Sequence, residues 1–241
     1  MAVPGTARHS SGASPEEIVS ILRAAQIFTE LPDEALQRLA DASVRRTFRR
    51  GQYLWFQGDE GARLVVVAAG LVKVVIASEQ GEEVVLTTLG PGETLGELAL
   101  LDGAPRSASV VAVEPTTVLM LSRTTVLDVL ARYPSVLDAL LRSLGALVRR
   151  LTEQTGDLVF LDLPARVAKV LLRLAEGHRP GDGPVVLDLG LSQSDLAAMV
   201  GATRPAVNRV LQSMARRGLV AVHGQVIELL DVAALRLRAT A

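Results

Sequence analysis

The chain has 241 residues, 49% hydrophobic and 21% charged, with 25 basic against 26 acidic side chains and a formal net charge of -1. That is enough apolar material for one large or two ordinary domains. It contains no cysteine and three histidines, His9, His178 and His223, in separate regions, which excludes disulfides, thiolate zinc sites and cysteine-held iron–sulfur clusters and disfavours a metalloenzyme or haem sensor.

Residues 1–14 are small and polar without an apolar core and read as a disordered tail. The longest apolar runs, such as Leu64–Ala69, fall far short of the ~20 residues a spanning helix needs, so a cytoplasmic protein with no membrane partner is expected. Ser14-Pro15-Glu16-Glu17 has the cap, first-turn proline and third-position acid of a helix start, and Ile18, Ile21, Leu22 and Ala25 supply its apolar face. A second helix is expected after Leu31-Pro32-Asp33, through Leu36 and Leu39.

From about Val44 to Ser122 the pattern becomes short runs rich in Val, Leu and Thr, separated by glycines at 51, 58, 61, 70, 81, 90, 92, 96 and 103. Such spacing predicts an antiparallel barrel or sandwich. The expected strands are Gln52–Phe56, Leu64–Ala69, Leu71–Ala77, Glu83–Leu89, Ala108–Val113 and Thr117–Leu121, with Tyr53, Trp55 and Phe56 taken as packing residues.

The most informative stretch runs from Gly92 to Ala108. A glycine-rich turn can aim several backbone N–H groups at an anion, and a helical turn expected to begin at Leu98 would add its positive end. Arg106 offers a fixed fork that suits a phosphate, and Glu97 can accept hydrogen bonds from ribose hydroxyls. Together these residues describe a sugar-phosphate cradle. A barrel that keeps the turn for folding alone remains the alternative, although a buried, unpaired arginine would be costly scaffolding.

Ser135–Phe160 reads as a long helix with Leu137, Leu140, Leu144, Leu147, Leu151 and Leu158 in steps of three and four, interrupted at Gln154. A heptad seam of this kind predicts a parallel homodimer, with packing against the chain's own barrel as the alternative. Leu161-Asp162-Leu163-Pro164 breaks the helix, since proline disfavours helical geometry in the residue before it, and marks a hinge. A helix over Ala165–Ala175 and a glycine- and proline-rich loop over Gly177–Pro184 follow.

Leu191-Ser192-Gln193-Ser194-Asp195 again places an acid three residues after a cap and opens a helix through Val200, with the turn at Gly201-Ala202. Thr203 is expected to cap a second helix. Its positions Val207, Val210, Leu211 and Met214 face inward, leaving Arg204, Asn208 and Arg209 outward, and Gly218 ends it. This is a helix-turn-helix with its recognition helix furnished for the major groove. Val220–Leu229, turning at His223-Gly224, adds a wing. From Leu163 onward ten basic residues face six acidic ones, and Leu196–Ile227 holds four arginines and no acid, a patch suited to phosphate backbones. Arg204 and Arg209 are the candidates for guanine readout; Ser192, Gln193 and Thr203 are candidates for phosphate contact, with capping an equal reading for Ser192 and Thr203.

Over about Ile27 to Leu230 the sequence resembles the cyclic-AMP receptor protein and fumarate-nitrate regulator superfamily. The likeness lies in these motifs and in Gly51-x-x-Leu54-x-x-x-Gly58-Asp59 and Gly70. The resemblance implies an α+β chain: an antiparallel, jelly-roll-like β-roll over 15–134, a dimerisation helix and hinge over 135–162, and a winged helix-turn-helix over 163–241. It implies that Gly96, Glu97, Leu98, Arg106 and Ser107, with Ala99 in the same turn, hold the ribose and cyclic phosphate of an effector such as cAMP, and that Leu86 and Thr87 wall the ring. It further implies a palindromic duplex operator and RNA polymerase as a further partner, with no cofactor or metal.

Three positions depart from the family pattern. Where cAMP-responsive relatives offer two adjacent polar residues to adenine, this chain has Leu151-Thr152; Leu147 replaces an arginine one turn earlier; and Pro205 replaces a glutamate that accepts from cytosine. An enzyme is excluded: there is no histidine between Ser10 and Gly177, and no nucleophile turn, P-loop or dinucleotide motif. Two alternatives stay open: the same fold without a cyclic-nucleotide response, and a cyclic-nucleotide module that regulates a protein partner.

Overall fold

The computed structural model describes residues 14–78, 80–176, 184–188 and 190–240. The expected tail and nearly all of the expected loop over 177–184 lie outside these residues. The chain divides into two compact units: one takes the chain up to Ile76 together with Leu86–Val148, the other takes Ala77–Val85 and Arg149 onward.

In the first unit, α1 (Pro15–Ala24) starts where the cap is written: the Ser14 side chain accepts from the Glu17 N–H at 3.2 Å. After a single 3₁₀ turn, α2 (Asp33–Ala42) follows. The strands are β1 (Val44–Phe48), β2 (Tyr53–Trp55), β3 (Arg63–Ala69), β4 (Val72–Ala77), β5 (Glu83–Leu89) and β6 (Thr94–Leu95), then, after the short helix α3 (Glu97–Asp102), β7 (Ser109–Ala112) and β8 (Thr116–Ser122). They form two four-stranded sheets, ordered β1-β8-β3-β6 and β2-β7-β4-β5, so the sandwich reading prevails over the closed barrel. The period of two sorts side chains cleanly. On β3, Val65 and Val67 join Phe48, Trp55, Val72, Leu89, Val110 and Met120 in one core. Leu64 and Val66 face the other way, onto a helical core with Leu22, Phe28, Leu36, Leu39 and Val126. Both faces of β3 are covered, which is why its sequence is an unbroken apolar run.

Besides the 3₁₀ turn, three elements of this unit were not expected. β1 is an edge strand whose two arginines, one half-buried and one exposed, mask its period. β6 spans two residues. The third is α4 (Arg123–Arg132), whose Thr-Thr-Val opening has strand character; Ser122 converts it by accepting from the Thr125 N–H at 3.1 Å.

The long helix α5 (Pro134–Phe160) runs through both units. Val136 and Leu140 are buried, whereas Leu137, the first position of the seam, is exposed. Further along, Leu141, Val148, Leu151, Leu158, Val159 and Phe160 are exposed. Two residues separate α5 from α6 (Leu163–Ala175), at the break expected from Pro164. Asp162 caps α6, its carboxylate accepting from the Ala165 N–H at 2.8 Å and from Arg238 at 2.5 Å. Lys169 on α6 pairs with Asp157 on α5 at 2.6 Å.

The second unit continues with β9 (Val185–Leu187), α7 (Gln193–Val200), α8 (Arg204–Arg216), β10 (Val220–His223), β11 (Val226–Leu229) and α9 (Val232–Arg238). The strands form one antiparallel sheet ordered β10-β11-β9. The turn of the wing falls one residue later than expected, on Gly224-Gln225, because His223 pairs with Val226 and Gly224 supplies the positive φ of 66°. Val167, Leu171, Leu196, Val200, Val207, Leu211, Met214 and Leu235 close the core.

Candidate functional site

The turn between β6 and α3 is set by Gly96. It occupies the left-handed region at φ 89°, and a Cβ built there would lie 2.3 Å from Arg106 Nη1 and 2.9 Å from the Arg63 carbonyl oxygen. Glycine is therefore required for backbone and space alike. α3 begins at Glu97, one residue before the expected Leu98. Gly96 is its N-cap and makes no side-chain bond.

Arg106 lies between α3 and β7 and is 6% exposed; among the described residues no other charged side chain is buried as deeply. Its Nη1 donates to the Gly96 carbonyl at 3.1 Å and its Nη2 to the Arg63 carbonyl at 2.8 Å. Among the described residues no acceptor meets its buried Nε–H. The guanidinium carbon lies 4.1 Å from the centroid of the Trp55 ring. Burial lowers the pKa of Arg106, and the carboxylates of Glu97 and Asp59 work against that loss. The backbone is fixed as tightly: the Arg106 N–H donates to the Asp59 carbonyl at 2.8 Å, and the Gly58 N–H to the Arg106 carbonyl at 2.8 Å.

Gly96, Glu97 and Arg106 are thus brought together as the sequence predicted, with part of the guanidinium fork already committed to carbonyls. Ser107 and Leu98 are exposed. Ala99 is buried, its Cβ filling the space beside Gly61, so only its backbone faces any ligand question. Leu86 and Thr87 are half-buried on β5. Leu151 and Thr152 are exposed on the part of α5 that belongs to the second unit. Trp55 and Asp59 were missed as site residues. Their link to Arg106 spans about fifty positions of sequence and leaves no local pattern; only the singularity of the tryptophan marks it.

In the second unit, Ser192 and Asp195 form a full capping box: the Asp195 N–H donates to Ser192 Oγ at 3.1 Å, while the Ser192 N–H and hydroxyl donate to the Asp195 carboxylate at 2.9 and 2.7 Å. For Ser192 the capping role is real. Thr203 sits at the N-cap position of α8, but its side chain makes no capping bond and is exposed. That corrects the expected cap. Instead Pro205 in the first turn, with its fixed φ and missing N–H, starts the helix. Arg204, Pro205 and Arg209 are exposed and Gln193 half-buried. Asn208 departs from expectation. It is half-buried, with Oδ1 enclosed and unpaired, because it lies on the shoulder between buried Val207 and Leu211 rather than on the outer stripe.

Comparison with known proteins completes the picture. Residues 45–133 match the family model described as Cyclic nucleotide-binding domain, and residues 165–238 that described as Crp-like helix-turn-helix domain. The chain is 33% identical over 221 residues to the CRP-like cAMP-activated global transcriptional regulator of Mycobacterium tuberculosis, covering 91% of this chain and 98% of that protein. It is 35% identical over 214 residues to the cyclic AMP receptor protein of Thermus thermophilus, covering 89% and 96%. A CRP/FNR-family transcriptional regulator of Thermus thermophilus has a similar structure, with a TM-score of 0.69 at 27% identity over 82% of this chain and 98% of that one.

Proposed function

The chain belongs to the CRP/FNR family of transcription regulators, with a cyclic-nucleotide-binding domain followed by a DNA-binding helix-turn-helix, and from that premise we propose that it is a homodimer switched by a cyclic nucleotide, cAMP first among them, bound in its β-sandwich. The observation that carries the proposal is Arg106: a buried cation with an Nε–H that no acceptor meets, beside a glycine that leaves it room. A buried donor without a partner costs about 1–3 kcal/mol, and a phosphate oxygen is the acceptor such a group suits. Glu97, Leu98, Ser107 and the backbone at Ala99 would complete the sugar-phosphate contacts, with Leu86 and Thr87 beside the base.

Cyclic AMP leads because the relatives from Mycobacterium tuberculosis and Thermus thermophilus are named for it. Leu151 removes half of the polar contact to adenine that the family resemblance implies. An unpaired buried amine costs about 1–3 kcal/mol, or one to two decades of affinity, so weaker adenine selectivity is expected here.

The exposed apolar face of α5 supports a second copy as its partner. Paired α8 helices would then enter successive major grooves about 34 Å apart, with Arg204 and Arg209 on base edges and Gln193 and Thr203 on phosphates. Effector binding biases the dimer toward that spacing. RNA polymerase is a further partner, the cytoplasm the expected compartment, and no catalytic step is assigned.

Calorimetric titration with cyclic AMP, cyclic GMP and cyclic di-GMP, repeated on Arg106→Ala, tests the effector reading. Saturable binding of at least one nucleotide, lost in the variant, is the expected result. No binding of any of the three by the wild type would overturn it.

A further inference from the structure

The Arg106 guanidinium is held by more than its hydrogen bonds. Trp55 ends β2, and its ring lies under the guanidinium carbon at 4.1 Å from the centroid. The ring is itself fixed by its Nε1, which donates to the Ala108 carbonyl at 3.0 Å. It is walled by the core between the two sheets. From Trp55 the chain passes directly into the loop that grips the Arg106 backbone: the Gln57 N–H donates to Ser109 Oγ at 2.8 Å, and Gly58 and Asp59 exchange the two backbone bonds with Arg106. Sequence reading assigns Trp55 to packing, and the ring does lie in that core; the cation on its face gives it a second role.

We propose that Trp55 is a positioning residue for the effector site, an aromatic platform that holds the buried Arg106 cation against Gly96 and so sets the affinity for an anionic, phosphate-bearing ligand. The proposal rests on the reading of this sandwich as a cyclic-nucleotide site. A cation over an indole face gains about 0.5–2 kcal/mol, more as water is excluded. The contact leaves the ring's partner able to keep its in-plane donors for oxygen acceptors, whereas an aliphatic side chain would leave the cation against a surface with nothing to offer it. Ordering the guanidinium before the ligand arrives also removes part of the entropy that binding otherwise costs.

The test compares Trp55→Phe with Trp55→Leu, both checked for folding by thermal unfolding. Each loses the hydrogen bond to Ala108, so their difference isolates the aromatic face. Calorimetry is run with cyclic AMP, cyclic GMP and cyclic di-GMP. Trp55→Leu is expected to weaken binding about tenfold and Trp55→Phe no more than about threefold. Because Trp55 is the single tryptophan of the chain, its emission in the wild type reports this site alone, and it is expected to shift with the same saturation as the heat signal. Equal affinities for the two variants, or an emission unmoved by saturating nucleotide, would overturn the platform while leaving the effector reading intact. Should the wild type bind none of the three nucleotides, it is the effector reading that fails, and the platform with it. If Trp55→Leu does not fold, the Phe variant and the wild-type emission decide the matter: a loss well beyond threefold in Trp55→Phe, or a silent indole, refutes the proposal.

Discussion

Replacing Gly96 by alanine perturbs two things at once, and a second glycine separates them. Gly96 at φ 89° and Gly103 at φ 72° flank the same helix, α3, and both lie in the left-handed region. Alanine at either position incurs about 1–2 kcal/mol of backbone strain, which lowers Tm by roughly 4 °C per kcal/mol in a unit of this size. Around Gly103 a Cβ meets nothing within 4 Å, whereas at Gly96 it meets Arg106 Nη1 at 2.3 Å. Ordinary contact begins near 3.4 Å, so the guanidinium must retreat by about 1 Å, a shift that breaks its bond to the Gly96 carbonyl and costs a further ~1.5–3 kcal/mol. Gly103→Ala is therefore expected to be destabilised yet to bind cyclic nucleotide normally. Gly96→Ala should be less stable still and lose ten- to hundredfold in affinity by titration calorimetry, on the order of 1.4–2.8 kcal/mol. Wild-type affinity in Gly96→Ala, with its stability lowered no more than in Gly103→Ala, would show that Arg106 does not stand where the argument needs it.

Three further outcomes follow from the second unit. Asp162 is held below its ordinary pKa of 3.8, first by the Ala165 N–H and then by Arg238; a depressed carboxyl contributes stability that is present above the unfolded value and lost as pH falls through the folded one, so Asp162→Asn should be less stable than wild type near neutral pH and converge with it in acid, as followed by urea unfolding against pH. An undiminished gap below pH 3 would exclude ionisation as the cause. Arg209→Ala should cost about 1–3 kcal/mol against the preferred operator and little against random duplex, measured by fluorescence anisotropy, and binding-site selection on the wild type should return a palindrome relaxed at the base facing Pro205; equal losses on both duplexes would reassign Arg209 to the phosphate backbone.

Much of this architecture is written locally. Ser14 and Ser192 are followed three residues later by acids, and both cap as expected. The six expected strands of the sandwich fall within a residue or so of their expected ends, because Val-rich runs between glycines have few other options. What escaped detection depends on tertiary neighbours. α4 carries β-branched residues in its first turn and is helical because Ser122 caps it and Val126 and Val129 find a core. α9 is a short helix whose Leu235 is buried in the core of its unit, beneath an Asp231 cap that accepts from the Ala234 N–H at 2.8 Å. Thr203 looks like a cap, but Pro205 starts that helix instead. Arg106 was legible as a charge beside a glycine turn. That it rests on Trp55 was not, since a ring and a cation so far apart in sequence leave no periodic trace. Asn208 fails for a subtler reason: one step around the helix from Val207, it falls on the boundary where helical period alone cannot choose between inside and outside.

The sharpest measurement is duplex affinity with and without nucleotide, by fluorescence anisotropy on the selected operator at fixed salt. A ligand that prefers the groove-spanning arrangement must raise that affinity by its own differential affinity for the two states. At least a tenfold gain is expected with saturating cyclic nucleotide, and none in Arg106→Ala. Equal operator affinity in both conditions, for protein that calorimetry shows to be saturated, would contradict control of DNA binding through this sandwich.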